Sequence, residues 1–282
     1  MKLKYTKIQG LGNDFIIIDN RESKYTIDQL QKITKRVCSR KISVGADGFM
    51  AIEESDGIAD FKMRFFNADG SIGEMCGNGA RCITRYAYVN NIAKKNMIFE
   101  TTAGNVNGEV KNDRLIAVTL NNPEIIEFDK IATIDGIDYT ISYVELGNPG
   151  LPHGVIEYKG LKNLEVEDIF ELGKNLRYHE IFPKGANINF YEIDSKSSTI
   201  IRTFERGVED FTLACGTGSA SLAAILYLKK LVDGNKIKIS SLGGDLIVEI
   251  ETDENMKINK LLLIGDTNII SEGIIIDEDL NL

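Results

Sequence analysis

Two stretches of the chain carry helical spacing directly after a cysteine. Following Cys215, the apolar residues Ala220, Ala223, Ala224, Tyr227, Leu228 and Leu231 recur three and four apart, while Leu222, Ile225 and Leu226 fill the other side. A helix apolar nearly all round is a buried one. After Cys76 the positions Ile83, Tyr86, Ala87 and Asn90 keep the same spacing with weaker apolarity. A third helix is predicted over 26–38 by Ile27, Leu30, Ile33, Thr34 and Val37, with Asp28 favourable in its first turn, and a fourth around 166–175. The remainder reads as short strands. They are expected at 3–8, 15–19, 49–53, 60–67, 97–101, 106–111, 115–121, 187–192 and 199–205, with three more after the second cysteine helix. Turns fall at Gly10-Leu11-Gly12-Asn13-Asp14, at Gly45-Ala46-Asp47-Gly48 and at Ala68-Asp69-Gly70-Ser71. Short strands with one long helix in each half predict an α+β fold with antiparallel sheets.

The pattern is written twice. Gly73-Glu74-Met75-Cys76-Gly77-Asn78-Gly79-Ala80-Arg81-Cys82 has a counterpart in Leu213-Ala214-Cys215-Gly216-Thr217-Gly218-Ser219-Ala220, with Cys215 lying 139 residues after Cys76. Met63-Arg64-Phe65-Phe66-Asn67 matches Ile201-Arg202-Thr203-Phe204-Glu205 at an offset of 138. Leu11-Gly12-Asn13 matches Leu146-Gly147-Asn148 at 135, and Ala103-Gly104-Asn105-Val106 matches Gly243-Gly244-Asp245-Leu246 at 140. Four matches in one order indicate two homologous halves related by a pseudo-twofold axis. A site in the cleft between them, with the thiols facing each other, is the expectation.

Composition narrows the function classes. The net charge of −9 and pI near 5.0 argue against a nucleic-acid partner, because no basic run supplies the footprint such binding needs. The basic start, Met1-Lys2-Leu3-Lys4-Tyr5-Thr6-Lys7, leads into Gln9 and Gly10 and does not read as a secretory signal. The most apolar window, 220–228, is far shorter than the roughly 18 residues a membrane span needs, so a cytoplasmic protein without membrane partners is expected. Four cysteines, Cys38, Cys76, Cys82 and Cys215, do not form a disulfide framework, and no C-x-x-C occurs. With only His153 and His179 to accompany them, no zinc spacing is present and no metal is expected.

Glycines after each cysteine let backbone approach a ligand closely, and the unpaired N–H groups of a helix start attract negative charge. The same environment lowers a thiol pKa toward neutrality. One thiolate and one thiol on opposite faces of a stereocentre would remove its hydrogen and return another. Converging N–H groups would stabilise the carbanion at an α-carboxylate with neither metal nor pyridoxal. Cys38 and Cys82, outside this context, read as small buried hydrophobes.

These residues carry a resemblance. Gly10-Leu11-Gly12-Asn13-Asp14-Phe15, Gly45-Ala46-Asp47-Gly48, Phe66-Asn67-Ala68-Asp69-Gly70-Ser71, the Cys76 and Cys215 motifs, Gly147-Asn148-Pro149 and Phe204-Glu205-Arg206-Gly207 together resemble the diaminopimelate epimerase family over nearly the whole chain. The resemblance implies two pseudo-symmetric halves, each a curled antiparallel sheet around a central helix. The first half would be 1–122 plus a returning C-terminal strand at 266–282, and the second 123–265. It implies cofactor-independent epimerisation of L,L-diaminopimelate to the meso form, serving lysine and peptidoglycan biosynthesis, by a homodimer. Cys76 and Cys215 would be the catalytic pair, Cys76 giving and Cys215 taking the proton in one direction. Gly77, Asn78, Gly216 and Thr217 would hold the reacting α-carboxylate. Asn13, Asn67, Asn148, Asn187 and Arg206 would hold the distal centre, with Glu205 at its ammonium group. Asn13 and Asn148 also suit turns beside glycine, and Glu205 and Arg206 also suit a surface ion pair. Where the family usually reads Gly-Asn-Pro-His, three residues, Gly150-Leu151-Pro152, are inserted before His153, which either assists catalysis or is a loop histidine. Some relatives carry Gln where Gly48 stands. Both departures leave open a cofactor-independent racemase or epimerase of another amino acid.

Overall fold

In the computed structural model the described residues are 2–73 and 76–280; Met1, Glu74, Met75, Asn281 and Leu282 lie outside them. Two residues of the first cysteine motif and the end of the returning C-terminal segment are therefore not described. The chain divides into two compact units, Met1–Val118 with Gly265–Leu282, and Thr119–Ile264.

The first unit runs β1 (Lys2–Gly10), β2 (Asn13–Asp19), α1 (Asn20–Ser23), α2 (Ile27–Val37), β3 (Gly48–Glu53), β4 (Phe61–Asn67), α3 (Gly77–Val89), β5 (Asn96–Thr101), β6 (Gly104–Val110) and β7 (Leu115–Leu120). The second runs β8 (Pro123–Ile134), β9 (Ile137–Leu146), β10 (Leu151–Glu157), α4 (Phe170–Arg177), β11 (Asn187–Ser195), β12 (Ser198–Glu205), β13 (Asp210–Thr212), α5 (Gly216–Leu228), β14 (Lys236–Ser241), β15 (Gly244–Thr252) and β16 (Ile258–Asp266). The last strand, β17 (Asn268–Ile276), pairs with β1 in the first unit.

The two units repeat one pairing order. From β17 the first passes through β1, β2, β3, β4, β5 and β6; from β8 the second passes through β9, β10, β11, β12, β14 and β15. To the antiparallel ladders expected from sequence the structure adds parallel pairs at β2–β3, β4–β5, β10–β11 and β12–β14. Each of these pairs is joined through a helix, and such a crossover brings the chain back in the direction it left.

Helices cover both faces of each sheet, so the middle strands cannot show polar alternation. In β2, residues 14–18 are all buried. Ile16 and Ile18, with Phe49 and Ala51 of β3, pack under Leu30, Ile33 and Val37 of α2. Phe15 and Met50 face the other way, against Gly79 of α3. The second unit repeats this with Ile188, Phe190 and Phe204 under Leu176 of α4. α5 then packs on the opposite side of β11 and β10. Thr26 starts α2 by accepting from the Gln29 N–H while Gln29 returns the bond, a capping box. α5 stops at Leu228, so Leu231, part of the apolar spacing in sequence, lies beyond the helix and is 37% exposed.

The β1–β2 hairpin closes through two residues, Leu11 and Gly12, both with positive φ, which suits the right-handed twist of its strands. Just behind it, Asp14 is 7% exposed and accepts from Lys7, from Arg40 and from the Asp47 N–H. Burial alone would raise this carboxyl; the hydrogen bonds from Arg40 and Lys7 outweigh it and hold the pKa at about 2.

The duplicated glycines are not equivalent. A Cβ on Gly79 would sit 3.5 Å from Met50 Sδ, ordinary contact, whereas one on Gly218 would sit 2.2 Å from Asn189 Oδ1. Gly79→Ala is expected to stabilise the fold by about 0.5 kcal/mol through helix propensity. Gly218→Ala should cost about 1–3 kcal/mol by overpacking. Urea denaturation checks both, and equal effects would contradict the two contacts. Asp14→Asn should cost about 2 kcal/mol at pH 7. Because the folded-state pKa is depressed, that stability is present above the unfolded value near 4 and is lost as pH falls through about 2. A difference between wild type and variant that stays constant from pH 5 to about 2 would refute the assignment.

Candidate active site

Cys76 and Cys215 each occupy the N-cap of a 13-residue helix, α3 and α5, with extended backbone angles. Both lead into a largely buried first turn. The Cys76 side is half-buried; Cys215 is 7% exposed.

The two sulfurs have opposite hydrogen-bond polarity. Cys76 Sγ–H donates to Asn13 Oδ1 at 3.8 Å, and Asn13 is oriented by its own Nδ2, which donates to Asp47 Oδ2 at 2.8 Å. Cys215 Sγ accepts from the Gly218 N–H at 3.4 Å and lies 3.5 Å from Thr217 Oγ1. A backbone N–H directed at sulfur favours its ionised form. The Ser219 hydroxyl donates to the Cys215 carbonyl at 2.9 Å, adding a side-chain bond to the one from its backbone N–H.

Gly77 and Asn78 form the first turn of α3, and Gly216 and Thr217 that of α5, so each pair adjoins its cysteine. Asn78 is 3% exposed, and its Oδ1 accepts from Arg81 Nη2 at 2.8 Å. Asn67 ends β4, exposed, donating to Ser71 Oγ within the following turn. Asn148 is exposed in the four-residue turn between β9 and β10, before a cis peptide to Pro149.

In the second unit several of the expected residues form one connected set. Asn187 is 3% exposed; its Oδ1 accepts from the Arg206 N–H at 2.7 Å and its Nδ2 donates to the Pro152 carbonyl. Arg206 Nη1 donates to the Lys184 carbonyl at 3.1 Å. Among the described residues Glu205 and Arg206 do not form an ion pair. Glu205 is half-buried at the end of β12, and burial raises its pKa, with the Thr212 hydroxyl offsetting part of the shift. The inserted Gly150 lies on Glu145, a buried carboxylate that accepts from Tyr143 and Lys184; a Cβ there would meet Glu145 Oε2 at 2.1 Å.

His153 is not a loop histidine. It lies in β10, opposite Asn187 of β11, with no exposed surface. Asn189 Nδ2 donates to its Nδ1 at 3.2 Å, which places the ring proton on Nε2. Burial, helped by the Arg206 charge, pushes its pKa down to about 3, so the ring stays neutral at physiological pH. Its Nε2 is buried with no hydrogen-bond partner among the described residues.

Sequence reasoning missed four buried or supporting residues. Asn189 and Thr203 face the start of α5, with Thr203 Oγ1 donating to Asn189 Oδ1 at 3.0 Å. Asp47 orients Asn13, and Arg81 is wholly buried beneath the start of α3. A second asparagine between Ile188 and Phe190, two residues after Asn187, was the available signal for Asn189, and the Arg81–Ala220 mismatch between the two motif copies was the signal for Arg81. Among the described residues no three His, Cys, Asp or Glu side chains cluster as metal ligands, and no helix is long and apolar enough to cross a membrane.

The fold recurs in solved structures of low sequence identity. A PhzF-family phenazine biosynthesis protein from Bacillus anthracis superposes with a TM-score of 0.75 at 16% identity, covering 98% of this chain and all of that one. A hydroxyproline epimerase from Agrobacterium vitis gives 0.71 at 14% identity, covering 97% of this chain and 91% of that one. At sequence level the similarity is much closer. A diaminopimelate epimerase from Aquifex aeolicus is 37% identical over 98% of this chain and 99% of its own length. One from a Hydrogenobaculum species is 40% identical over 96% and 97%. The family profile described as diaminopimelate epimerase matches residues 5–126 and 146–266. The chain belongs to the diaminopimelate epimerase family.

Proposed function

We propose that this protein converts L,L-diaminopimelate to the meso isomer by a two-thiol mechanism. The observation that carries the reading is the opposite polarity of two sulfurs at the same helix position, one donating to Asn13 and one accepting from the Gly218 N–H. Cys215, as thiolate, takes the α-proton; the electron pair left on carbon is delocalised into the α-carboxylate; Cys76 delivers its proton to the carbon and becomes the thiolate. The reverse direction exchanges the roles. Gly77, Asn78, Gly216 and Thr217 supply first-turn N–H groups for the carboxylate, where developing negative charge is best stabilised.

In this reading Asn13, Asn67, Asn148, Asn187 and Arg206 hold the distal amino-acid centre, Arg206 as a fork for its carboxylate and Glu205 as counter-charge for its ammonium group. His153 acts as a neutral donor through Nε2 and holds Asn189 in place. The inserted Gly150 on the buried Glu145 favours a second reading, a cofactor-independent racemase or epimerase of a different amino acid, because it packs in the turn that carries Asn148. A homodimer in the cytoplasm, supplying lysine and peptidoglycan biosynthesis, completes the proposal.

The deciding measurement is α-proton exchange by NMR in D₂O, with L,L-diaminopimelate, reduced protein and no added pyridoxal. Deuterium is expected at the α-position as the meso isomer appears, and Cys76→Ala and Cys215→Ala should each abolish epimerisation. Wild-type protein that binds the substrate without exchange would overturn the diaminopimelate reading, and racemisation of a one-centre amino acid would establish the second. Sedimentation equilibrium should give twice the monomer mass; a monomer at micromolar concentration would overturn the dimer.

A further inference from the structure

The two cysteine helices differ most at one place. Five residues after Cys76 stands Arg81, and five after Cys215 stands Ala220. Arg81 has no exposed surface. Its Nη2 donates to Asn78 Oδ1 at 2.8 Å and its Nη1 to the Gly77 carbonyl at 3.3 Å, so the guanidinium is fastened to the two residues that follow Cys76. Nε is buried without a hydrogen-bond partner, and among the described residues no carboxylate comes within ion-pair distance.

A buried cation without a counter-charge is costly, and its cost falls whenever an acid nearby ionises. Cys82, Cys76 and Asp266 are the acids whose charge acts on Arg81. Asp266 is paired with Arg114 and Asp14 with Lys7 and Arg40, so both carboxylates are already answered. Arg85, the other cation on α3, donates to the Thr267 carbonyl at 2.6 Å. The Cys82 thiol is wholly buried and pushed up to about 12, which keeps it neutral. The sulfur left to supply negative charge is Cys76.

We infer that Arg81 is a positioning residue that stabilises the Cys76 thiolate and fixes Asn78, making the first thiol a stronger acid than it would be without that charge. Asn13 Oδ1 holds the thiol proton before reaction, and Arg81 answers the charge that remains once the proton has left. In the second unit the polar groups packed under the helix start are neutral ones of the sheet, Asn189 and Thr203, with His153 bonded to Asn189. The consequence for catalysis rests on the two-thiol reading, but the thiol property itself does not.

The test is the pH profile of iodoacetamide alkylation at Cys76 and Cys215, followed by peptide mass spectrometry from pH 6 to 10 without substrate. Two neutral variants, Arg81→Met and Arg81→Gln, guard against one of them failing to fold. Either folded variant should raise the apparent Cys76 pKa by about one unit, slowing its alkylation near pH 7 about tenfold and leaving Cys215 unchanged. Arg81→Lys, which keeps the charge, should restore most of the rate. A Cys76 profile that overlays wild type in a folded neutral variant, or an equal shift at both cysteines, overturns the inference. Because no substrate is present, a protein that fails to epimerise diaminopimelate can still show the shift, and the two failures stay distinct.

Discussion

The first turn of a helix leaves N–H groups with no partner inside the helix, and such a turn can be buried only where something answers them. Both central helices begin in that situation. α3 and α5 press their first turns onto sheets already covered on the far side by α2 or α4, so water is excluded from most of the helix start. Glycine is what permits the approach at Gly218, where no other side chain leaves room for Asn189. Placing cysteine at the N-cap gives the turn a sulfur as acceptor, which the Gly218 N–H uses directly. Stability and reactivity thus come from one arrangement: what satisfies the helix start is also what favours a thiolate.

The repeat preserves the backbone of this arrangement and exchanges its chemistry. In the first unit the sheet residues beneath the helix start are Phe15 and Met50, and the polar group comes from the helix, as Arg81. In the second the helix offers Ala220, and the polar groups come from the sheet, as His153, Asn189 and Thr203. Each solution buries one polar system and keeps the other side apolar. Exchanging a single component would not work: Arg81 set over Asn189 and His153 would add a cation to groups already satisfied, and Ala set over Met50 would leave Asn78 without its Nη2 donor. The divergence is therefore coupled across helix and sheet within each unit.

How much of this was legible follows from the same physics. The cysteine helices, the α2 helix with its Thr26 start, and the Leu11–Gly12 turn were readable because periodicity and glycine placement depend on local structure alone. The parallel pairs were not, because β2, β3, β10 and β11 are covered on both faces and lose the alternation that would reveal their partners. Among the site residues, Asn13 and Asn187 carry side-chain bonds to Asp47 and Arg206 that no spacing announces. His153 could be proposed as a participant from the resemblance, but its burial in a strand and its bond from Asn189 come from pairing with Asn187, a long-range contact. Arg81 escaped notice because an arginine at a buried helix position contradicts every compositional expectation of a core.

The inequality of the two thiols bears on which substrate suits the proposed chemistry. In racemising an amino acid with one stereocentre, substrate and product are enantiomers of equal free energy, and two equivalent thiols would serve both directions. A substrate with a second, fixed stereocentre makes the isomers diastereomers, so proton removal from the two faces is no longer related by symmetry. The two acids then have different tasks, and different surroundings for them carry no penalty. Arg81 fastened to Asn78 at one helix start, and a neutral Asn189–Thr203–His153 set under the other, is an asymmetry of that kind. The second unit adds a further difference in the Asn187–Arg206–Lys184 chain, which ends at a charged group, Lys184, held on the buried Glu145. A cationic fork in Arg206 and a half-buried carboxylate in Glu205 on one unit fit a substrate whose far end is itself a zwitterion, and diaminopimelate has such an end where a simple amino acid has none.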